Sequence, residues 1–156
     1  GPSGRGYGMA CGIDAGTYVA AIAGISIDER RGTIKVDRVV CAQDMGLVIN
    51  PSGAILQMEG CITMGLGYSL SEEMHFSGGE QYDTNFDTYE LPRFSWVPEI
   101  ETILIDSEDD IPHGGGEPAI VLMSAIIGNA LFDATGVRLF RHPFTPDRVK
   151  QAIAEV

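Results

Sequence analysis

Three glycines followed by a glutamate and a proline form the stretch of this sequence best suited to chemistry. Glycines 114–116 precede Glu117 and Pro118, and an apolar stretch rich in Ala, Ile and Leu follows. Glycine-rich backbone can present N–H groups to an anion or to a metal-bound oxygen. A carboxylate beside a buried helix accepts a proton more readily near neutral pH when it is desolvated. Glu117 is therefore a candidate general base. A helix cap with a tight glycine turn explains the same pattern, and local sequence does not separate the two.

Gln57 is the second candidate. It lies beside Glu59 in a segment that also carries Gly60, Gly65 and Gly67. A side-chain amide offers two donors and an acceptor, which is the set needed to recognise a heterocycle. Each glycine costs a solvent-facing helix about 1 kcal/mol relative to alanine, so their accumulation indicates close packing or a close ligand. The alternative is a solvated Gln57 on a helix whose glycines serve packing alone.

Composition limits the classes of function. With 156 residues and 44% hydrophobic content, residues 1–156 fit a single domain or a fragment of a larger one. The formal net charge of -12 offers no cationic surface for phosphates, so no nucleic-acid partner is expected. No apolar run approaches the roughly 20 residues of a membrane-spanning helix, so no span is expected either.

The sequence does not predict a metal site formed by protein ligands. Its three cysteines stand far apart without a C-x-x-C pair, and its three histidines are not spaced as a metal set. The acidic run at 108–110 lacks the spacing of a calcium loop and is typical of a solvated turn. We expect the cysteines to be buried free thiols. Of the histidines, only His113 is close enough to Glu117 in sequence to merit attention.

Three strands are predicted among the elements that must position these residues. Segments 17–27 and 33–42 are β-branched and apolar around a glycine-containing turn, which predicts an antiparallel hairpin. Segment 100–106 alternates as a strand, whereas 77–98 has the composition of a long loop.

Three helices are predicted as well. The first begins at Pro51 and carries apolar residues at spacings of three and four. The second is expected to begin at Pro118 and to end before Gly136, and a short terminal helix follows Thr145 as its N-cap. Strands and helices do not strictly alternate, so the predicted class is α+β, with antiparallel strands packed against helices.

In combination, four ordered blocks resemble a known family. These are G-R-G-Y-G with G-T-Y-V-A near the start, N-P through Q-x-E-G and G-L-G to E-E, then F-D-T-Y-x-L-P, and finally G-E-P, at 4–20, 50–73, 86–92 and 116–118. This order and spacing resemble the C-terminal part of the molybdopterin-binding subunit of the xanthine dehydrogenase and aldehyde oxidase family. The match is strongest to the branch that contains the β-subunit of isoquinoline 1-oxidoreductase. One departure is Leu56, which replaces the glycine that often precedes the glutamine.

The resemblance implies roles for individual residues. Glu117 matches the catalytic glutamate that removes a proton from the water-derived oxygen nucleophile. Gln57 matches the glutamine that hydrogen-bonds the molybdopterin cofactor, and Gly115 and Gly116 would let backbone approach the metal centre. The chain would then be part of a larger molybdopterin-binding domain, and would be inactive when isolated.

The same resemblance implies partners. The whole enzyme would hydroxylate an N-heteroaromatic compound or an aldehyde, with iron–sulfur clusters on a partner subunit or domain. Two other hypotheses stay open: a non-catalytic domain for subunit assembly or cofactor loading, and a module that binds a small anion at 114–116.

Overall fold

A computed structural model describes residues 4–155. Within that range six strands and three α-helices follow one another along the chain. The strands are β1 (Arg5–Asp14), β2 (Thr17–Asp28), β3 (Thr33–Asp44), β4 (Phe76–Ser77), β5 (Glu80–Gln81) and β6 (Glu99–Leu104). The helices are α1 (Pro51–Leu70), α2 (Met123–Thr135) and α3 (Pro146–Ala154), with a short 3-10 turn at Phe94–Trp96.

The main sheet has the order β1-β2-β3-β6. The first three strands form an antiparallel meander, and β6 lies parallel to β3. Alternate residues of β2 and β3 point into the core, because successive side chains of a strand face opposite sides of the sheet. The helices cover this face, with α2 over β1 and β2 and α1 against β3 and β6. The predicted hairpin and the α+β class are confirmed.

Strand β1 was not predicted, because its sequence is rich in glycine. Two of these glycines allow the backbone of α2 to pack directly against the strand. A Cβ atom on Gly6 would stand 2.1 Å from the carbonyl oxygen of Ala130, and one on Gly8 would stand 1.9 Å from that of Ile126. Successive side chains of β1 face opposite sides of the sheet, and Cys11 is on the exposed side. The expectation of a buried thiol is therefore wrong for Cys11. Cys41 and Cys61 are buried as expected.

Helix α1 begins at Pro51 as predicted. The side chain of Asn50 caps it by accepting a hydrogen bond from the N–H of Gly53 at 3.0 Å. Met58, Ile62 and Leu66 are fully buried. The helix therefore has a fixed core face, and the rotation of every other side chain on it, Gln57 included, is set.

Helix α2 begins at Met123 rather than at Pro118, so the predicted start is wrong. Residues 118–122 form turns instead. The carbonyl oxygen of Ile120 accepts the Tyr68 hydroxyl at 2.5 Å and the N–H of Met123 at 3.1 Å, which replaces regular helical bonding there. The predicted end is confirmed, because Gly136 caps α2 in the left-handed conformation, with φ of 77°.

The long loop after α1 is anchored by the paired glutamates at its start. Glu72 accepts a hydrogen bond from the hydroxyl of Tyr89 at 2.7 Å, within the loop. Glu73 pairs with Arg148 of α3 at 2.6 Å, and α3 begins with Thr145 as its N-cap, as predicted. The E-E motif therefore ties the loop and the terminal helix to the end of α1.

Candidate functional site

The structure brings together Gln57 and Gly116, which the sequence separates widely. The side-chain amide of Gln57 donates to the carbonyl oxygen of Gly116 at 2.7 Å. The buried thiol of Cys61, one helical turn further along α1, donates to the same oxygen at 2.9 Å. Gln57 on α1 and the segment 116–117 are all exposed, so they lie next to one another on one surface of the molecule.

Glu117 lies on this surface with its side chain exposed to solvent. Its carbonyl oxygen accepts the N–H of Ile120 at 2.9 Å, which closes a turn. Because α2 begins only at Met123, Glu117 does not cap that helix. Among residues 4–155 its carboxylate forms no salt bridge, so it carries an unneutralised negative charge.

The negative charge of Glu117 acts on the nearby buried thiol of Cys61. Burial raises the pKa of Cys61; hydrogen bonds from Gln57 and from the Ile120 backbone partly oppose this rise, and the negative charge of Glu117 adds a smaller increase. Cys61 therefore stays protonated near neutral pH, which is the state in which a thiol can donate a hydrogen bond.

The glycines before Glu117 have different surroundings. Gly114 is fixed: its N–H donates to Ala15 at 3.1 Å and its carbonyl oxygen accepts the buried Thr17 hydroxyl at 2.7 Å. The expectation that the glycine N–H groups are free is therefore wrong for Gly114. A Cβ on Gly115 would stand 2.0 Å from the Met45 methyl group, whereas one on Gly116 would meet nothing within 4 Å. Only Gly116 presents open backbone on its side-chain face.

Gln43 is a site neighbour that sequence reasoning missed. It is 1% exposed, and its Oε1 has no hydrogen-bond partner among the described residues. Its Nε2 lies 3.5 Å from the Met45 sulfur and 3.7 Å from the position of a Cβ on Gly115. A glutamine that continues the inward-facing series of Val39 and Cys41 in β3 is the pattern that marks it in the sequence. Most buried side-chain amide oxygens are hydrogen-bonded, so the unpaired Oε1 of Gln43 distinguishes the region next to Gly115.

The histidines serve local structure. His113 Nε2 lies 2.8 Å from an Asp109 carboxylate oxygen, and His75 Nδ1 lies 2.8 Å from one of Asp83. His142 packs edge-on against Tyr68. Within residues 4–155 no three His, Cys, Asp or Glu side chains cluster as metal ligands, and no helix is both long and apolar enough to cross a bilayer.

Comparison with known proteins gives one family match. A sequence model described as the molybdopterin cofactor-binding domain matches residues 5–98, a range that includes Gln57 and ends before Glu117. One of the subunits of nicotinate dehydrogenase from Pseudomonas putida is 32% identical over 136 residues, which cover 87% of this chain and 12% of that protein. The β-subunit of isoquinoline 1-oxidoreductase from Brevundimonas diminuta is 32% identical over 145 residues, covering 90% and 18%.

A solved structure shows the same fold. The aldehyde oxidoreductase from Desulfovibrio gigas superposes with a TM-score of 0.79 at 25% identity, over 88% of this chain and 15% of that one. The chain therefore spans less than a fifth of the length of each of these three proteins.

Proposed function

Because this chain belongs to the molybdopterin cofactor-binding domain family, we propose that it forms one wall of the cofactor site in a molybdenum hydroxylase. The membership confirms the family resemblance, and the matched residues 5–98 take in the first three of the four sequence blocks, apart from the very first residue, but not the last, at 116–118. Within this proposal Glu117 is the catalytic base, Gln57 contacts the cofactor, and Gly115 and Gly116 lie beside it. The hydrogen bond between Gln57 and Gly116 carries the proposal, since it joins the cofactor residue to the segment that bears the base.

The residues present fit a heterocyclic cofactor. Gln57 is exposed, and among the described residues its Oε1 accepts no hydrogen bond, so the amide keeps an acceptor for a ring N–H. The side-chain face of Gly116 is open, so a planar group can approach the backbone there. When bound, the molybdenum cofactor would supply the oxidising centre that takes two electrons from the substrate carbon.

The chain's own groups would manage the proton. The Glu117 carboxylate would accept it from the water-derived nucleophile, and no salt bridge within residues 4–155 competes for that carboxylate. Glu117 is exposed in this chain, so the remaining polypeptide of the enzyme would have to cover it and exclude water. Desolvation would then favour the protonated form of the carboxyl group and strengthen the base.

For the substrate we propose the classes that the names of the relatives suggest, and for the route of the electrons the one that the family resemblance implies. Nicotinate and isoquinoline, in the names of two relatives, are N-heteroaromatic, and the matched solved structure is an aldehyde oxidoreductase. The substrate is proposed to be an N-heteroaromatic compound or an aldehyde. Electrons would leave through iron–sulfur clusters on a partner subunit or another domain.

Replacement of Glu117 by glutamine in the whole enzyme tests this function. E117Q keeps the size of the side chain but removes the base, so we expect turnover to fall at least about 100-fold while molybdenum content, measured by elemental analysis, is retained. E108Q, in the exposed acidic turn, is the matched control and should keep full turnover. Unchanged turnover in E117Q would exclude Glu117 as the base and favour a non-catalytic role in assembly or cofactor loading.

A further inference from the structure

We propose that Cys61 is a positioning residue for Glu117, acting through the Gly116 carbonyl that it shares with Gln57. The inference rests on the proposed function for its catalytic consequence, but its structural part stands on contacts within this chain. Two donors from α1 converge on one carbonyl oxygen, the Gln57 amide at 2.7 Å and the Cys61 thiol at 2.9 Å. A carbonyl oxygen has two lone pairs, so the two bonds together fill its acceptor capacity.

The peptide between Gly116 and Glu117 needs this anchor. Gly116 has no side chain, and the space on that face is open, so packing does not hold it. The neighbouring fixed points lie on either side: the Gly114 N–H donates to Ala15, and the Glu117 carbonyl oxygen accepts from Ile120. Between them, the carbonyl of Gly116 is the group through which α1 sets the direction of the Glu117 side chain.

Cys61 and Gln57 differ in how deeply their side chains are buried. Gln57 is exposed and can face a cofactor, whereas Cys61 is only 4% exposed and packs in the core beside Met58 and Ile62. A rigid, buried donor holds a loop better than a flexible surface amide, since less rotamer freedom is lost when its bond forms. The thiol also remains protonated, because burial raises the pKa of Cys61 above its usual value. Cys61 thus contributes by holding the loop and never touches substrate.

Two variants separate positioning from packing. Cys61→Ala removes the donor, and Cys61→Ser restores a hydroxyl donor in nearly the same volume. Cys41→Ala is the matched control, because it also truncates a buried cysteine of the same core but makes no bond to Gly116. Thermal unfolding of each variant checks that the chain still folds cooperatively.

The first readout is the ¹³C chemical shift of the Gly116 carbonyl in the 156-residue chain, because this shift responds to loss of an accepted hydrogen bond. We expect a shift in Cys61→Ala, recovery in Cys61→Ser, and no change in Cys41→Ala. An unchanged Gly116 signal in Cys61→Ala would overturn the proposal, whatever the role of Glu117.

The second readout is turnover of the whole enzyme. We expect Cys61→Ala to lower kcat about tenfold with little change in KM or molybdenum content, because a displaced base slows the chemical step more than binding. Cys61→Ser should recover most of kcat. If Cys61→Ser is as slow as Cys61→Ala, or if Cys41→Ala is equally slow, the catalytic part is wrong. Failure of the proposed function is recognised separately, by unchanged turnover in E117Q.

Discussion

The backbone of Gly8 in β1 lies so close to α2 that a Cβ atom on residue 8 would stand 1.9 Å from the carbonyl oxygen of Ile126. The helix therefore rests on the strand through main-chain atoms, which cannot move aside as a side chain can. This contact fixes α2, and with it the turn at 118–122 that follows Glu117.

Gly8→Ala should accordingly push α2 away from β1. We expect the free energy of unfolding to fall by about 1 to 3 kcal/mol, the usual cost of overpacking a core. Gly12→Ala is the control on the same strand, since its Cβ would meet only the end of the Leu122 side chain, at 3.3 Å. Chemical denaturation measures both, and equal stability of the two variants would contradict the close contact.

Glu73→Gln tests the anchor of the terminal helix. The hydrogen bond from Arg148, with its charge and that of Arg141, keeps the pKa of Glu73 below its usual range. Glu73 therefore stabilises the fold above the pKa it has in the unfolded chain, and this contribution is lost as pH falls through the lower folded value. At pH 7 we expect Glu73→Gln to cost about 1 to 2 kcal/mol.

Asp147→Asn is its control, because it removes a carboxylate whose pair with Lys150 is 92% exposed on the aspartate side. Such an exposed pair is worth little, so the free energy of unfolding should fall less in Asp147→Asn than in Glu73→Gln. A similar loss of unfolding free energy in both variants would mean that the change in net charge, rather than loss of the Glu73–Arg148 pair, is responsible.

Stability should decline at alkaline pH because of a buried thiol. Burial raises the pKa of Cys41 to about 11 from its usual value of 9.0. Between these values the unfolded chain releases the proton while the folded chain keeps it, so the free energy of unfolding falls as pH rises from about 9 to about 11. Cys41→Ala should make that decline shallower. Val39→Ala, which truncates a buried residue without an ionisable group, should lower stability at every pH and leave the slope unchanged.

Gly116→Ala separates folding from cofactor binding. A Cβ on Gly116 meets nothing within 4 Å, so unfolding of the chain itself should be nearly unchanged. In the whole enzyme the added methyl group would occupy the face offered to the cofactor, and we expect lower molybdenum content and turnover. Full metal content and turnover in this variant would show that the cofactor does not approach Gly116.

Several elements were predictable because their cause is local. The hairpin of β2 and β3 follows from side-chain alternation, and α1 from Pro51 at its start and from the apolar residues that follow at spacings of three and four. Strand β1 was missed because its inward positions carry glycine, which has no apolar side chain to reveal the alternation, and because these glycines contact a helix more than a hundred residues away. The start of α2 was misplaced because a tertiary bond from Tyr68 takes the Ile120 carbonyl, a competitor that the local sequence does not reveal.

The sequence by itself determined the family, the α+β class and the candidate residues Gln57, Gly115, Gly116 and Glu117, since residue types and their order are enough for those. Only the tertiary structure decided which of these residues meet. Gln57 and Gly116 are joined by a hydrogen bond that depends on the packing of α1 against the sheet and α2, and Cys61 enters the site through the same packing. Hydrogen bonds require atoms within about 3 Å of one another, and spacing along a chain does not encode that distance until the core has formed.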